Sequence, residues 1–81
     1  MTLETQEVEE LIEEEIEEAD VSAREQFHPG EQDAGQHFEL RVVSPEFEDM
    51  SRIQQHRRVH DALDDYMGGV IHSVEIDTRT P

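Results

Sequence analysis

The stretch QHFELRVVSPEF, residues 36–47, decides the fold because it reads as a β-strand that stops at a proline. Apolar side chains occupy alternate positions, and charged side chains fill the positions between them (Phe38, Leu40 and Val42 against Glu39 and Arg41). This alternation is typical of a strand with one buried and one solvent-facing side. We therefore predict a strand over 37–44 that the proline closes.

An acidic amphipathic segment precedes this strand. In residues 4–20, ten of 17 residues are acidic and none is basic. A disordered acidic tail is the alternative, but it would lack the apolar stripe that recurs here at helical spacing (Val8, Leu11, Ile12, Ile16 and Ala19). We predict a helix over 5–19, with Thr5, or alternatively Thr2, as its N-cap. Glutamates four positions apart on this helix repel one another in dilute buffer.

The remaining elements follow from turn residues and caps. Ser51 is a favourable N-cap for a second helix, and Gly68 and Gly69 end it. Proline and glycine mark the loop between the first two strands. The predicted elements are a strand over 21–27, a loop over 28–36, a turn or single helical turn over 45–50, a helix over 51–67 and a strand over 71–79.

The element order α-β-β-α-β predicts an α+β two-layer sandwich. The first two strands can pair as an antiparallel hairpin, whereas the last strand follows a helical crossover and should lie parallel to the second. Both helices then cover one face of a three-stranded mixed sheet. A length of 81 residues fits one small domain without room for a deep substrate cavity.

The composition is strongly acidic. Twenty-two Asp and Glu residues oppose six basic residues, which are all arginine, and the formal net charge is −16. A complete lack of lysine favours adaptation to molar salt, where a Debye length of about 3 Å screens self-repulsion; an acidic partner-binding patch is the alternative. The chain has no cysteine, no apolar run long enough to span a membrane and no signal-peptide pattern, so we expect a cytoplasmic protein.

Three separated blocks of the sequence resemble the BolA family. HFELRVVSPEF, HRRVHDAL and IHSVEIDTRTP agree in order and spacing with that family's pattern, from about residue 8 to residue 81. The sequence departs from the pattern at Gln55, which is usually arginine, at Asp49, which is commonly glycine, and at His60, which is often tyrosine. The resemblance implies a fold like that of a class II KH domain, in agreement with the element order.

The resemblance also implies a function. BolA-like proteins are partners of monothiol glutaredoxins and share a 2Fe-2S cluster with them, for iron–sulfur cluster delivery or iron regulation. The implied ligands here are His72, at the start of the last strand, and His28, in the loop nine residues before His37. Two neutral imidazoles can replace two cysteines on one iron, while the glutaredoxin cysteine and a small thiol bind the other. Because this chain has no sulfur ligand, we expect no cluster on the protein alone.

Both implied ligands have an ordinary structural interpretation as well. His72 shares its parity with Val74 and Ile76, so a core-side histidine bonded to the backbone is the alternative to a ligand. His28 lies in a polar loop, where an exposed residue without a function is the alternative. The spacing alone does not decide between these interpretations.

The other three histidines are interpreted as structural. His37 has the opposite parity to the buried strand residues, so it should face the open side of the sheet, as a support for the ligands or a substitute for one of them. His56 falls on a predicted apolar stripe of the second helix, so we predict packing or capping instead of metal binding. His60 lies on the same stripe and is assigned no function. That stripe contains Ile53, Leu63 and Met67.

Two other classes of function agree less well with the sequence. A DNA-binding transcriptional regulator is the alternative, because KH-like folds bind nucleic acid, and Arg57 and Arg58 are its candidate contacts. The missing Gly-x-x-Gly clamp and the net charge of −16 oppose it, so we expect no nucleic acid partner. We expect no enzyme either, because no nucleophile–base pair and no phosphate-cradling glycine loop stands out.

Overall fold

A computed structural model gives the fold and describes residues 2–26 and 35–81. The predicted α+β class and the predicted helical turn over 45–50 are confirmed, and the structure adds a second short 3-10 turn after the second helix. Within the described residues, no helix is long and apolar enough to cross a membrane. The elements are α1 (Thr5–Glu15), β1 (Asp20–Gln26), β2 (Gln36–Val43), a 3-10 turn (Pro45–Asp49), α2 (Arg52–Ala62), a second 3-10 turn (Asp64–Tyr66) and β3 (Ile71–Arg79).

The sheet has the predicted topology. Its strand order is β1-β2-β3, with β1 antiparallel and β3 parallel to the central strand β2. Phe38, Leu40 and Val42 of β2 are at most 1 % exposed and pack with buried residues of both helices into one core. The charged residues of β2 lie on the opposite side of the sheet, which confirms the predicted alternation of this strand.

The first helix is shorter than predicted. It ends at Glu15 because Ile16 adopts extended backbone angles and is fully buried. The prediction of Thr5 as N-cap is wrong, since Thr5 is the first helical residue and Glu4 is the cap. The Glu4 N–H donates to Glu7 Oε1 at 3.1 Å, so a carboxylate three residues into the helix satisfies it.

The second helix begins as predicted and ends early. Ser51 is its N-cap, and its Oγ accepts from the Gln54 N–H at 3.2 Å. The helix ends at Ala62 instead of residue 67, and a 3-10 turn precedes Gly68, which has a φ of 81°. This positive φ explains the glycine, because other residues adopt such angles only with strain.

The face that α2 buries also differs from the prediction. Ile53 is 72 % exposed and His60 is exposed, so the predicted apolar stripe through Ile53, His56 and His60 is wrong. His56 is half-buried. Val59 and Leu63, both fully buried, carry the packing against the sheet.

Gln55 faces inward beside Val59 because both its amide nitrogen and its amide oxygen are hydrogen-bonded. Its Nε2 donates to the carbonyl oxygens of Phe47 and Met50, at 3.1 Å and 3.0 Å. Its Oε1 accepts from the Thr78 hydroxyl at 2.6 Å, which ties α2 to the end of β3. At the position where the BolA pattern usually has arginine, this glutamine therefore forms hydrogen bonds with two carbonyl oxygens and one hydroxyl group.

A polar network around Ser44 holds both helices to the end of β2. Ser44 is fully buried, its Oγ donates to the Glu17 carbonyl at 2.7 Å, and it accepts from the Glu46 N–H at 3.1 Å. Glu46 in turn accepts from Arg58 Nε at 2.7 Å, and Arg58 also donates to the Glu15 carbonyl. The hydrogen bond from Arg58 holds the pKa of Glu46 below its ordinary value.

We predict that salt stabilises the fold. Glu9 and Glu13, and Glu10 and Glu14, remain like-charged neighbours within α1, and each pair costs a few tenths of a kcal/mol in dilute buffer. The melting temperature, followed by circular dichroism, should therefore rise between about 0.1 M and about 2 M KCl as the Debye length falls. An unchanged melting temperature over this range would contradict both the repulsion and the proposed adaptation to molar salt.

We also predict a pH-dependent contribution from Glu46. Glu46→Ala should lower the free energy of unfolding at pH 7 by about 1–2 kcal/mol, because it removes a charge-assisted hydrogen bond that is partly exposed. Since the folded-state pKa is lowered, this contribution is present above the ordinary carboxyl pKa and is lost as the pH falls through the folded value.

The measurement is urea unfolding of parent and variant from pH 7 down to about pH 3. Glu48→Ala is the matched control, because Glu48 is exposed in the same 3-10 turn. A difference between parent and Glu46→Ala that persisted unchanged in acid would show that the ion pair is not its cause.

Candidate metal-ligand site

An irregularity in the pairing of β2 with β3 places the candidate ligands. Gln36 pairs with Ile71 and His37 pairs with Ser73, so His72 is an extra residue on β3. Such a bulge breaks the alternation of side chains along a strand. Ile71 is fully buried while His72 is exposed, and the sequence-based parity that put His72 on the core side is therefore wrong.

The bulge brings two histidines together. The ring centroids of His37 and His72 lie 5.1 Å apart, and the rings are inclined by 61° in an edge-on arrangement. His37 Nδ1 shares a hydrogen bond of 2.6 Å with Ser73 Oγ, which fixes the rotation of the His37 ring. His37 is half-buried, so the pair consists of one exposed imidazole and one that its neighbours hold in place.

Gly35 lets the chain pass close to His72. Its φ is 85°, and a Cβ there would lie 3.2 Å from the His72 Cβ and 3.3 Å from the carbonyl oxygens of Gly69 and Val70. A side chain at this position would therefore be strained and would push on His72. The next residue, Gln36, anchors the site to the N-terminal segment, because its amide exchanges two hydrogen bonds with the backbone of Leu3, at 2.7 Å and 2.9 Å.

The other predicted site residues lie apart from this pair or outside the described residues. His28, the predicted loop ligand, is outside the described residues. Arg57 and Arg58, the candidate nucleic acid contacts, differ in their surroundings: Arg58 is engaged by Glu46, and Arg57 is exposed. Among the described residues, no group of three or more His, Asp or Glu side chains is arranged to hold a metal ion.

Sequence reasoning missed Ser73 and the closeness of His37 to His72. A signal for the bulge was present, since His72 and Ser73 are consecutive polar residues between apolar Ile71 and Val74. Two consecutive polar residues interrupt the alternation of apolar and polar side chains. An extra residue in the strand lets the apolar residues before and after it face the same side of the sheet.

Fold and site together define a small α+β domain without any cysteine that carries two neighbouring imidazoles at one end of its sheet. The family model described as BolA-like protein matches residues 6–81, and the chain belongs to this family. The resemblance seen in the sequence is thus confirmed.

Related proteins agree with this assignment. A bolA homologue from Coxiella burnetii has a solved structure with a TM-score of 0.76 and 32 % identity, covering 99 % of this chain and 94 % of that one. The BolA domain of SufE1 from Arabidopsis thaliana has a TM-score of 0.81 and 28 % identity, covering 95 % and 91 %. The human BolA-like protein 1 is 49 % identical over 45 residues, which is 56 % of this chain and only 33 % of that relative.

We predict that Gly35→Ala disturbs the site as well as the fold. The substitution should lower the free energy of unfolding by about 2–3 kcal/mol, because a left-handed alanine is strained and its Cβ presses on His72. Gly68→Ala is the matched control, since Gly68 has a similar φ but nothing within 4 Å of its added Cβ. It should cost only about 1–2 kcal/mol.

Urea unfolding and the imidazole NMR signals of His72 provide the two readouts. The His72 signals should move in Gly35→Ala and stay in place in Gly68→Ala. Equal losses of stability with unmoved His72 signals would contradict the close packing of Gly35 against His72.

Proposed function

We propose that this protein is a partner of a monothiol glutaredoxin and that the two proteins share a 2Fe-2S cluster, for cluster delivery or iron regulation. The observation that carries the proposal is the exposed His72 beside His37, in a chain of the BolA-like family that has no cysteine. On this proposal the protein is a binding partner without an enzymatic activity of its own.

The residues present fit one side of such a cluster. His72 is exposed on the bulge and supplies the first imidazole nitrogen. The second comes from His37, whose ring lies 5.1 Å from that of His72, or from His28. A bound cluster would supply electron transfer or iron and sulfide, with a potential raised by neutral nitrogen ligands.

The sulfur ligands must then come from elsewhere. The cysteine of the glutaredoxin and a small thiol would bind the second iron, and this division makes the cluster a property of the complex. Ser73 supports the site from within this chain, because its hydrogen bond to His37 Nδ1 holds the His37 ring beside His72.

We predict that the visible absorption and circular dichroism of a cluster-loaded monothiol glutaredoxin change when this protein is added. His72→Ala should abolish the change, because it removes the exposed ligand. His37→Ala and His28→Ala then identify the second ligand: the variant that lacks it should weaken the change, and the other should resemble the parent.

His60→Ala is the matched control, since His60 is exposed on α2, away from the bulge. It should leave the spectrum of the complex as in the parent. A folded His72→Ala protein that produced the parental spectrum would contradict the proposal.

A further inference from the structure

One face of α2 differs in charge from the rest of the molecule. Residues 50–60 contain no Asp or Glu, although 22 of the 81 residues are acidic, and they carry three of the six arginines. With 3.6 residues per turn, five side chains of this stretch share one face of the helix. We call this set the α2 strip: Arg52, Ile53, His56, Arg57 and His60.

The two arginines of the α2 strip are exposed and form no ion pair with any residue in 2–26 or 35–81. Arg24, Arg58 and Arg79 each pair with a carboxylate of this chain. A chain with so many carboxylates could readily have supplied partners for the strip arginines as well. Their positive charge is instead directed to the solvent.

Ile53 gives the α2 strip an apolar centre. Ile53 is 72 % exposed, and no other large hydrophobic residue among those the structure describes is exposed. It lies one helical turn from Arg57 and two turns from His60. A single exposed isoleucine is ordinary on a protein surface. An isoleucine between two arginines without an ion pair in the described part of the chain resembles the centre of a contact surface.

The α2 strip is separate from the histidine site. The start of α2 is tied through Gln55 to Thr78 near the end of β3, whereas His72 lies at the beginning of that strand. The two positions are six residue steps apart along the strand, which corresponds to about 20 Å. A ligand of the strip therefore need not touch the candidate cluster ligands.

We propose that the α2 strip is a docking surface for an acidic helix of a partner protein. Carboxylates of that helix pair with Arg52 and Arg57, and an apolar side chain between them covers Ile53. The distance from Arg52 to Arg57 along the helix axis is about 7.5 Å, which two carboxylates spaced over one to two turns of a facing helix can match. The proposal does not depend on the proposed cluster function.

Charge favours a short acidic helix over nucleic acid as the occupant. Asp49 and Asp61 line the surface groove beside Arg57, and Asp77 lies beside Arg52. A duplex would extend its phosphates beyond the two arginines and over these carboxylates, whereas a short helix brings only a few charges near them. Ile53 would also contribute little to a phosphate backbone.

The test is an NMR titration of the isotope-labelled protein, in KCl sufficient to keep it folded. The probe is a capped alanine-based helical peptide with a leucine between two glutamates spaced like the strip arginines. Backbone shifts of residues 52–60 should respond, and those of β1 should not. The same peptide with glutamines in place of the glutamates should bind at least about threefold more weakly.

Variants of the α2 strip sharpen the test. Arg57→Gln and Ile53→Ser should each weaken peptide binding by about threefold to tenfold. This is the loss of affinity expected when one surface ion pair or one partly covered isoleucine is removed. Arg41→Gln is the matched control, since Arg41 is exposed on the open face of the sheet without an ion pair in the described chain. It should bind like the parent.

Three results would overturn the proposal. They are no binding of the glutamate peptide at millimolar concentration, equal binding by Arg57→Gln and the parent, or tighter binding of a random DNA duplex than of the peptide at the strip. The Ile53→Ser protein should still give the parental spectrum with a cluster-loaded glutaredoxin, so failure of the docking proposal can be distinguished from failure of the cluster proposal.

Discussion

The extra residue in β3 is the constraint on which the site depends. With strict alternation, burying Val74 and Ile76 would bury His72 as well and expose Ile71. The bulge reverses this at the start of the strand, so that Ile71 is fully buried and His72 is exposed. Burying an isoleucine side chain contributes about 1.5–3 kcal/mol, which offsets the cost of the irregular pairing.

Stability and site occupy opposite ends of the sheet. The network of Ser44, Glu46 and Arg58 fixes both helices at the end of β2, where Gln55 also joins α2 to β3. The histidine pair lies at the other end, where a glycine, a bulge and one serine determine its geometry. This separation explains how a chain with a modest core can leave the imidazole of His72 exposed without losing its fold.

Much of the fold could be predicted from the sequence, because it rests on patterns that extend over many residues. The alternation in β2 and the order of elements were enough for the mixed sheet and for the bounds of β3. The end of α1 and the buried face of α2 were not predictable in this way. The helix α1 ends where Ile16 is buried with an extended backbone, and Gln55 faces inward with three hydrogen bonds to residues outside α2.

The site could be predicted only in part. The resemblance to the BolA family indicated His72 and left His37 as a support or substitute, but parity pointed His72 in the wrong direction. The orientation of His72 depends on a one-residue register shift. The alternation of apolar and polar residues along a strand does not reveal such a shift until the pairing partners are known. The closeness of His37 to His72 follows from that same shift.

The most direct test of the account is whether this chain supplies nitrogen ligands to a shared cluster. The measurement is pulsed EPR of the reduced mixed complex, with nitrogen-15 histidine incorporated only into this protein. The account predicts nitrogen-15 couplings from two imidazoles in the parent and no nitrogen-15 coupling in His72→Ala, which should no longer share the cluster. A reduced complex without any nitrogen-15 coupling from this chain would contradict the account.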